Sequence, residues 1–356
     1  MAEGKASIQA ALSTPVALPY PMSWIDRLML FIERLPVPYW VTYSLLFSAE
    51  VAIQHVIGWV EGSVPRFTFE GLYLLFPLWV WGPLAIMTFL DKVALNALLE
   101  FRPLLRKDES ELFRLQYELT TLPPRSVLVN SLLWTVVFVA LMYSILPAIL
   151  QQYSYGPIAL VGTWIFGLIS FTTGSAIYYH TIRQLRLVSQ TVGQVEQFNL
   201  FRLDPVYAFS RLTARTGMVW LALIGLTLLF YPFEEVNVVI IALYLTQVVF
   251  ALGAFILPLW NVHQRLVAEK RGMLAEVNRR VEAAIARMHR TLDQDDLSSV
   301  KDINTVLDGL AAEREVVTKI ATWPWRPTTL SGFVSALVLP IALFLIQLAI
   351  RAWLGA

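Results

Sequence analysis

The sequence contains no cysteine among its 356 residues. Disulfide bonds, thiol catalysis and thiolate metal sites are therefore excluded for this chain. Charge is also scarce, because charged residues make up 15% of the chain, against roughly 25% in an ordinary soluble domain. The formal net charge of +1 gives no indication of a nucleic-acid or polyanionic partner.

Catalytic and nucleotide-binding motifs are missing as well. The chain has no Gly-x-x-x-x-Gly-Lys, Gly-x-Ser-x-Gly or Gly-x-Gly-x-x-Gly segment. Its four histidines are scattered and lack metal-binding spacing. His180 and His263 follow predicted spans, where a cation at the membrane interface is ordinary. The sequence predicts no enzyme, no metal and no cofactor, and residues 1–20 lack the apolar core of a signal peptide.

Apolar residues, in contrast, are abundant. They make up 57% of the chain, which includes twelve tryptophans, against roughly 45–50% in soluble domains. The mean hydropathy is +0.60. A soluble protein of this size could not hide so much apolar surface in one core, whereas a lipid bilayer can cover it. The composition therefore predicts an integral membrane protein.

Seven stretches satisfy the requirement for a spanning helix, which is roughly 20 mostly apolar residues. The fifth stretch is short, and only Phe233–Glu235 separates it from the sixth. A tight outer turn is expected there, and a re-entrant hairpin would leave the same parity of spans. No segment resembles a strand, so the sequence predicts an all-α polytopic membrane bundle of about seven spans. The stretches are Trp40–Val60, Leu72–Leu90, Val127–Leu150, Pro157–Tyr179, Gly217–Phe233, Val236–Trp260 and Leu330–Ile350.

The positive charges give an independent test of this topology. If the N-terminus is inside, 25 of the 27 lysines and arginines lie on inner segments, and only Arg66 and Arg351 fall outside. Cytoplasmic loops of membrane proteins carry such an excess. The pattern predicts an inside N-terminus and an outside C-terminus. Compact loops with this bias favour the cell membrane of a prokaryote, its inner membrane.

Spans 4 to 6 are expected to extend as helices into a cytoplasmic bundle. An apolar stripe continues after span 4, a helix beginning at Asp204 leads into span 5, and span 6 continues through Asn261 without a breaker. Two further amphipathic helices are predicted at Ser23–Leu35 and Glu109–Leu122. We divide the chain into a cytoplasmic segment with an interfacial helix (1–36), six spans (37–260), a cytoplasmic helical hairpin (261–328) and the seventh span (329–356).

The intramembrane polar candidates are Glu50, Gln54 and His55, all in span 1. Glu50 lies mid-span with Gln54 one turn further on the same face, and His55 lies on a different face. An ionisable group at this depth is a functional candidate because burying it unpaired is costly. The alternative is a hydrogen-bonded glutamate that joins two helices, with His55 as a packed or interfacial histidine.

The pore-lining candidates are Ser331, Ser335 and Gln347 in span 7. This span is nearly uncharged, and the two serines share a face near its inner end. Such a sparsely polar helix could line a hydrophobically gated pore. It could equally face lipid, with its small residues serving helix packing.

The whole arrangement resembles the seven-transmembrane ion channel superfamily of insect olfactory and gustatory receptors. The resemblance is architectural and covers Trp40 to Ile350. It implies an anchor domain that includes Val300–Ile320, a homotetramer, and a last span that lines a central pore. Of the short signature that these receptors carry in that span, only Gln347 matches, and Leu348 follows it where the receptors have phenylalanine.

Three functional hypotheses follow. The first is an oligomeric chemoreceptor-like channel, favoured as a tetramer, with an ion or small-molecule ligand. The second is a signalling or scaffold protein that holds a soluble partner on its cytoplasmic bundle. The third is a secondary transporter that uses Glu50 as its coupling carboxylate. Each has the lipid bilayer as its surroundings, and none involves nucleic acid.

Overall fold

The computed structural model describes residues 18–152, 156–195, 200–201, 203–230, 238–293 and 297–354. This part of the chain is helical and contains no strand, so the predicted all-α class is confirmed. The predicted outer turn at Phe233–Glu235 and residues 1–17 of the N-terminal segment lie outside the described residues.

The described residues form twelve α-helices with short 3-10 and π segments between some of them. The 3-10 segments are Gly71–Leu74, Arg102–Leu104 and Leu257–Leu259, and a π segment covers Ser170–Gly174. The helices are α1 (Trp24–Glu33), α2 (Tyr39–Glu61), α3 (Leu75–Phe101), α4 (Glu109–Thr120), α5 (Pro124–Gln152), α6 (Pro157–Ile169), α7 (Ala176–Gly193), α8 (Asp204–Phe230), α9 (Val238–Ile256), α10 (Trp260–Leu292), α11 (Leu297–Lys319) and α12 (Pro327–Leu354).

Five helical stretches are long and apolar enough to cross a membrane, which makes the chain a multi-pass membrane protein by length and composition. The described apolar part of α12, Pro327–Leu339, is shorter, and α2 is not among the five. The predicted number of seven spans stays a prediction. The five stretches are Gly71–Leu104, Glu109–Ser144, Pro157–Gly193, Asp204–Phe230 and Tyr244–Leu292.

Helices α3 and α8 form the centre of the bundle. They pack against each other, and α8 also packs against α9 and α12. Leu84, Met87 and Leu90 of α3 are fully buried, and the rings of Phe101 and Phe209 lie 4.7 Å apart between centroids. Burying apolar side chains between these helices holds the polar side chains described below at fixed positions.

Helices α10 and α11 form an antiparallel hairpin at one end of the bundle. The Lys270 ammonium, near the start of α10, donates to the carbonyls of Thr318 and Ile320 at 2.6 and 2.8 Å. Val277 and Val317 are buried between the two helices. We call this end of the bundle the hairpin end. The end of the bundle at which α2 terminates is called the opposite end.

The helical stretch that was expected to continue from span 6 through Asn261 is present, since Tyr244–Leu292 is one stretch, but a 3-10 turn that was not predicted interrupts its α-helical hydrogen bonding. Helix α9 ends at Ile256, a 3-10 segment follows at Leu257–Leu259, and α10 begins at Trp260. Pro258 is the physical reason, because its ring lacks an N–H and crowds the preceding turn. The hairpin therefore meets the bundle at a break in the helix.

In α3, by contrast, proline does not interrupt the helix, which continues through Pro83. Pro77 and Pro83 both lie within α3, and neither ends the helix. The π segment Ser170–Gly174 packs beside α3. A Cβ at Gly174 would overlap the Trp79 carbonyl oxygen, so only glycine permits this close approach of two backbones.

Candidate functional site

Glu50 of α2 is buried against α3, with 8% of its surface exposed. Its Oε2 accepts a hydrogen bond from the Trp81 indole N–H at 2.7 Å. The Gln54 amide approaches its Oε1 at 3.5 Å. Both contacts come from neutral groups, and in the described part of the chain no cation lies within ion-pair distance of Glu50. The carboxyl group therefore links two helices.

His55 does not join this carboxyl group. Its Nε2 accepts from the Glu70 backbone N–H at 3.1 Å, so the proton is assigned to Nδ1, which donates to the Val51 carbonyl at 2.9 Å. The ring stacks on Phe69 with centroids 5.1 Å apart. Both nitrogens are thus occupied by neutral partners, and His55 is a packed histidine that holds the loop after α2.

The space beside Gln54 is too small for a substrate. A cavity of about 20 Å³ lies there, lined by Gln54, Tyr73, Thr163 and Phe166 among others. A cavity needs roughly 10–15 Å³ to hold one water molecule. The polar group of α2 therefore has room for one water and for no organic ligand.

A second buried polar cluster lies toward the hairpin end, between α3 and α7. The His180 Nε2 lies 2.9 Å from Asp91 Oδ1, and the Gln184 amide donates to the same oxygen at 3.3 Å. All three residues are at most 3% exposed. We call these three residues the Asp91 cluster. It places two titratable groups in contact within the bundle.

Two atoms of the Asp91 cluster have no hydrogen-bond partner among the described residues. These buried atoms are His180 Nδ1 and Gln184 Oε1. The Gln184 amide nitrogen is shared between Asp91 and the Leu119 carbonyl, at 3.3 and 3.1 Å. A buried polar atom without a partner costs free energy. The cluster therefore has two buried atoms, His180 Nδ1 and Gln184 Oε1, that could each form a further hydrogen bond.

Asp26 of α1 connects the N-terminal helix to the same region. Its Oδ2 accepts from the Ser23 N–H and from the Leu122 N–H, both at 3.0 Å. Burial raises the pKa of Asp26 above its ordinary value, while these hydrogen bonds and the nearby His180 act in the opposite direction. Asp26 thus caps α1 and ties it to the end of α4.

The Asp91 cluster is not evident from the sequence. The position of His180 after a predicted span predicts an ordinary interfacial cation, whereas the residue is 3% exposed and its ring contacts Asp91. The physical reason is that α3 continues beyond the predicted span end at Leu90 and packs against the extension of span 4, which is α7. One signal was present in the sequence, because Asp91 and His180 each follow the last residue of a predicted span.

The pore-lining candidates of α12 lie apart from both buried groups. Ser331 and Ser335 are exposed, and the Ser331 hydroxyl donates to the Thr328 carbonyl at 3.0 Å. Phe333, between them in sequence, is buried and stacks on Phe255 with centroids 4.0 Å apart. Gln347 lies within α12, and its side chain is outside the described residues.

An aromatic segment joins the hairpin to α12. The rings of His263 and Trp323 stack 4.0 Å apart, and the His263 Nδ1 lies 3.0 Å from the Thr322 carbonyl. Trp325 is buried and its ring lies 4.7 Å from that of Phe255. Aromatic pairs at these separations add to the free energy of packing. These contacts connect the start of α10 with the segment that leads into α12.

The described residues contain no group of three or more histidine, aspartate or glutamate side chains that could hold a metal ion. Comparison with known proteins adds no functional assignment. The chain matches no protein-family model, and no curated protein or solved structure is significantly similar to it. The functional argument therefore rests on the chain itself.

Proposed function

We propose that this membrane protein is an oligomeric ion channel, favoured as a homotetramer, in which copies of α12 line a central pore. The proposal includes seven crossings, with the N-terminus and the hairpin end in the cytoplasm. Twenty-five of the 27 lysines and arginines then lie inside, as expected for cytoplasmic segments. The architectural resemblance to the insect olfactory and gustatory receptor superfamily points in the same direction.

Helix α2 is suited to be the first crossing, although its polar residues lower its hydropathy. Its 23 residues extend about 35 Å at roughly 1.5 Å per residue, which exceeds the hydrocarbon thickness of about 30 Å. Glu50, Gln54 and His55 are buried against the bundle, whereas Ile53 and Val56 are each 51% exposed. Lipid would therefore contact an apolar face.

The observation that carries the channel proposal is the contrast between two faces of α12. Phe333 anchors one face in the core against Phe255. Ser331 and Ser335 lie on the other side of the helix, two residues before and after Phe333, and are exposed in the single chain. An assembly that places this face at its symmetry axis would give a pore lined by small side chains.

Oligomeric mass is the first test. We expect light scattering of the purified protein, with the detergent contribution subtracted, to give four chains per particle, and conductance in planar bilayers to follow. A monomer would overturn the proposal because one copy of α12 cannot enclose a pore.

Thiol modification then tests α12 directly, since the chain has no cysteine of its own. We expect a water-soluble methanethiosulfonate reagent to block conductance of Ser335→Cys. The matched control is Ile53→Cys, whose side chain is exposed on α2 and would face lipid. An open channel that Ser335→Cys modification leaves unaffected would contradict pore lining by this face.

A secondary transporter is the second candidate function, and the surroundings of Glu50 favour it. The carboxyl group is buried, and the groups that contact it are neutral donors. A proton or a transported cation could therefore bind to it and balance its charge. Glu50→Gln would abolish coupled uptake in proteoliposomes under this hypothesis. The channel proposal expects conductance to be unchanged by the same substitution.

A further inference from the structure

A groove at the hairpin end separates α8 from the first turn of α12. Its cavity of about 180 Å³ is lined by Arg211, Arg215 and Met218 of α8 and by Thr328, Thr329 and Gly332 of α12. A second cavity of about 290 Å³ lies on the α3 side of the same two arginines. The two guanidinium groups thus lie between two open spaces.

The two arginines differ in their partners. Arg211 forms an ion pair with Glu100 of α3. Arg215 is exposed, and among the described residues no carboxylate lies within 4 Å of it. Its guanidinium carbon lies over the Phe89 ring, 6.0 Å from the ring centroid. Two cations and one carboxylate leave the groove with a positive charge, and Arg215 carries it.

The opposite wall supplies neutral donors. Neither the Thr328 nor the Thr329 hydroxyl bonds to any described residue, although the Thr328 carbonyl accepts from Ser331. A guanidinium group presents several N–H donors in a planar fork that matches phosphate oxygens. Together, Arg215 and the two hydroxyls offer donors from both sides of the groove, which suits an anion with several oxygens.

Polarity changes along the groove in the direction of the predicted membrane. Arg215 and Thr329 lie just before the predicted spans that begin at Gly217 and Leu330. Met218 and Gly332, three residues further along the same helices, line the groove on the apolar side. A polar end at the interface and an apolar end in the bilayer match the headgroup phosphate and the glycerol region of a phospholipid.

We propose that this groove binds the phosphate of an anionic phospholipid from the leaflet at the hairpin end. A soluble phosphate ester shares the chemistry but would leave the apolar end of the groove unfilled. The inference rests on the proposed membrane placement and is independent of whether α12 lines a pore. Because α12 forms one wall of the groove, the lipid would bind beside the start of that helix, next to the aromatic segment that contains Trp323 and Trp325.

The test is native mass spectrometry of the full-length protein with phosphatidylglycerol or phosphatidylcholine added. We expect phosphatidylglycerol to remain bound preferentially and Arg215→Gln to weaken its binding about fivefold, since one interfacial arginine contributes on the order of 1 kcal/mol. Arg215→Lys, which keeps the charge, should retain part of the binding. The matched control is Arg125→Gln, because Arg125 is exposed in the first turn of α5 and does not line the groove.

Three results would overturn the proposal. Equal losses for Arg125→Gln and Arg215→Gln would indicate diffuse attraction to the whole surface. Equal retention of phosphatidylcholine would remove the selectivity for anionic lipid. Displacement of the lipid by millimolar inorganic phosphate would assign the groove to a soluble ligand. Selective lipid binding by a particle that light scattering identifies as a monomer would support this inference while contradicting the channel.

Discussion

The two buried polar groups of the bundle differ in how completely their atoms are satisfied. Around Glu50, both carboxyl oxygens and both ring nitrogens of His55 have hydrogen-bond partners. In the Asp91 cluster, His180 Nδ1 and Gln184 Oε1 have none among the described residues. The first group contains neutral contacts only, and the second contains a carboxylate beside an imidazole.

The Glu50 group therefore acts as a structural link between helices, whereas the Asp91 cluster has buried atoms that could still form hydrogen bonds. Neutral hydrogen bonds that are fully formed fix helices in place. Buried atoms without a partner, such as His180 Nδ1 and Gln184 Oε1, can still form a hydrogen bond with a polar molecule. The more conspicuous sequence feature, a glutamate in mid-span, is thus the more completely hydrogen-bonded of the two in this structure.

The largest effect on stability is expected in the Asp91 cluster, the group that contains a carboxylate beside an imidazole. We expect Asp91→Asn to lower the free energy of unfolding by about 3 kcal/mol, because removing one partner of a buried pair leaves the other uncompensated. His180 would lose the carboxylate that lies 2.9 Å away. The measurement is the unfolding midpoint in a denaturing-detergent titration, converted to a free energy with the wild-type slope.

A second variant separates charge from packing in this prediction. Replacing both partners, in Asp91→Asn with His180→Leu, should recover much of the loss, since a neutral pair leaves no isolated charge. If the single Asp91→Asn change leaves the midpoint within experimental error, the Asp91 cluster carries no charge and the comparison fails.

An intermediate effect is expected at Trp81. Trp81→Phe removes the indole N–H that lies 2.7 Å from Glu50 Oε2, and we expect a loss of about 2 kcal/mol because a buried oxygen is left unsatisfied. The matched control is Trp59→Phe, whose indole donates to the Thr68 carbonyl at an exposed position. Equal losses for the two variants would mean that Glu50 is not held by this bond.

A smaller and pH-dependent effect is expected at Asp26. Because burial raises its pKa, the folded state keeps its proton to a higher pH than the unfolded state. Its contribution to stability is fully present below the unfolded value near 3.8, and it decreases as the pH rises through the higher folded pKa. Asp26→Asn should remove this slope from melting temperatures measured between pH 4 and 7.

The same variant should also cost about 1 kcal/mol at pH 4, since Asp26 and Ser23 form a capping box at the start of α1. Ser110→Ala, at the exposed start of α4, is the control for a general effect at helix termini. A pH slope that survives in Asp26→Asn would assign the titration to another group.

Local rules predicted much of the fold. The helix expected at Ser23–Leu35 is present as α1, and Tyr39–Glu61 lies within one residue of the first predicted span. Apolar runs and capping residues act over a few positions, so the sequence alone reveals them. The break at Pro258 could have been predicted in the same way, and the π segment could not, because it depends on contact with Trp79.

The candidate sites were less predictable because they are assembled between helices. Glu50 and Gln54 share a helix face and could be paired from spacing, whereas Trp81 comes from another helix. Asp91 and His180 are separated by 89 residues. Their contact depends on how α3 packs against α7, which periodicity does not specify. Composition indicates which residues are buried, and only tertiary packing determines which polar atoms meet.

The smallest effect on the free energy of unfolding is expected for Glu50→Gln. Glu50→Gln keeps an oxygen that can accept from Trp81 and removes only the titrating proton, so we expect a change below about 1 kcal/mol. The same acid-to-amide change should be several times more costly at Asp91. A large loss at Glu50, measured in the same detergent titration, would mean that this carboxyl is charged and balanced by a cation, and the two clusters would then be alike.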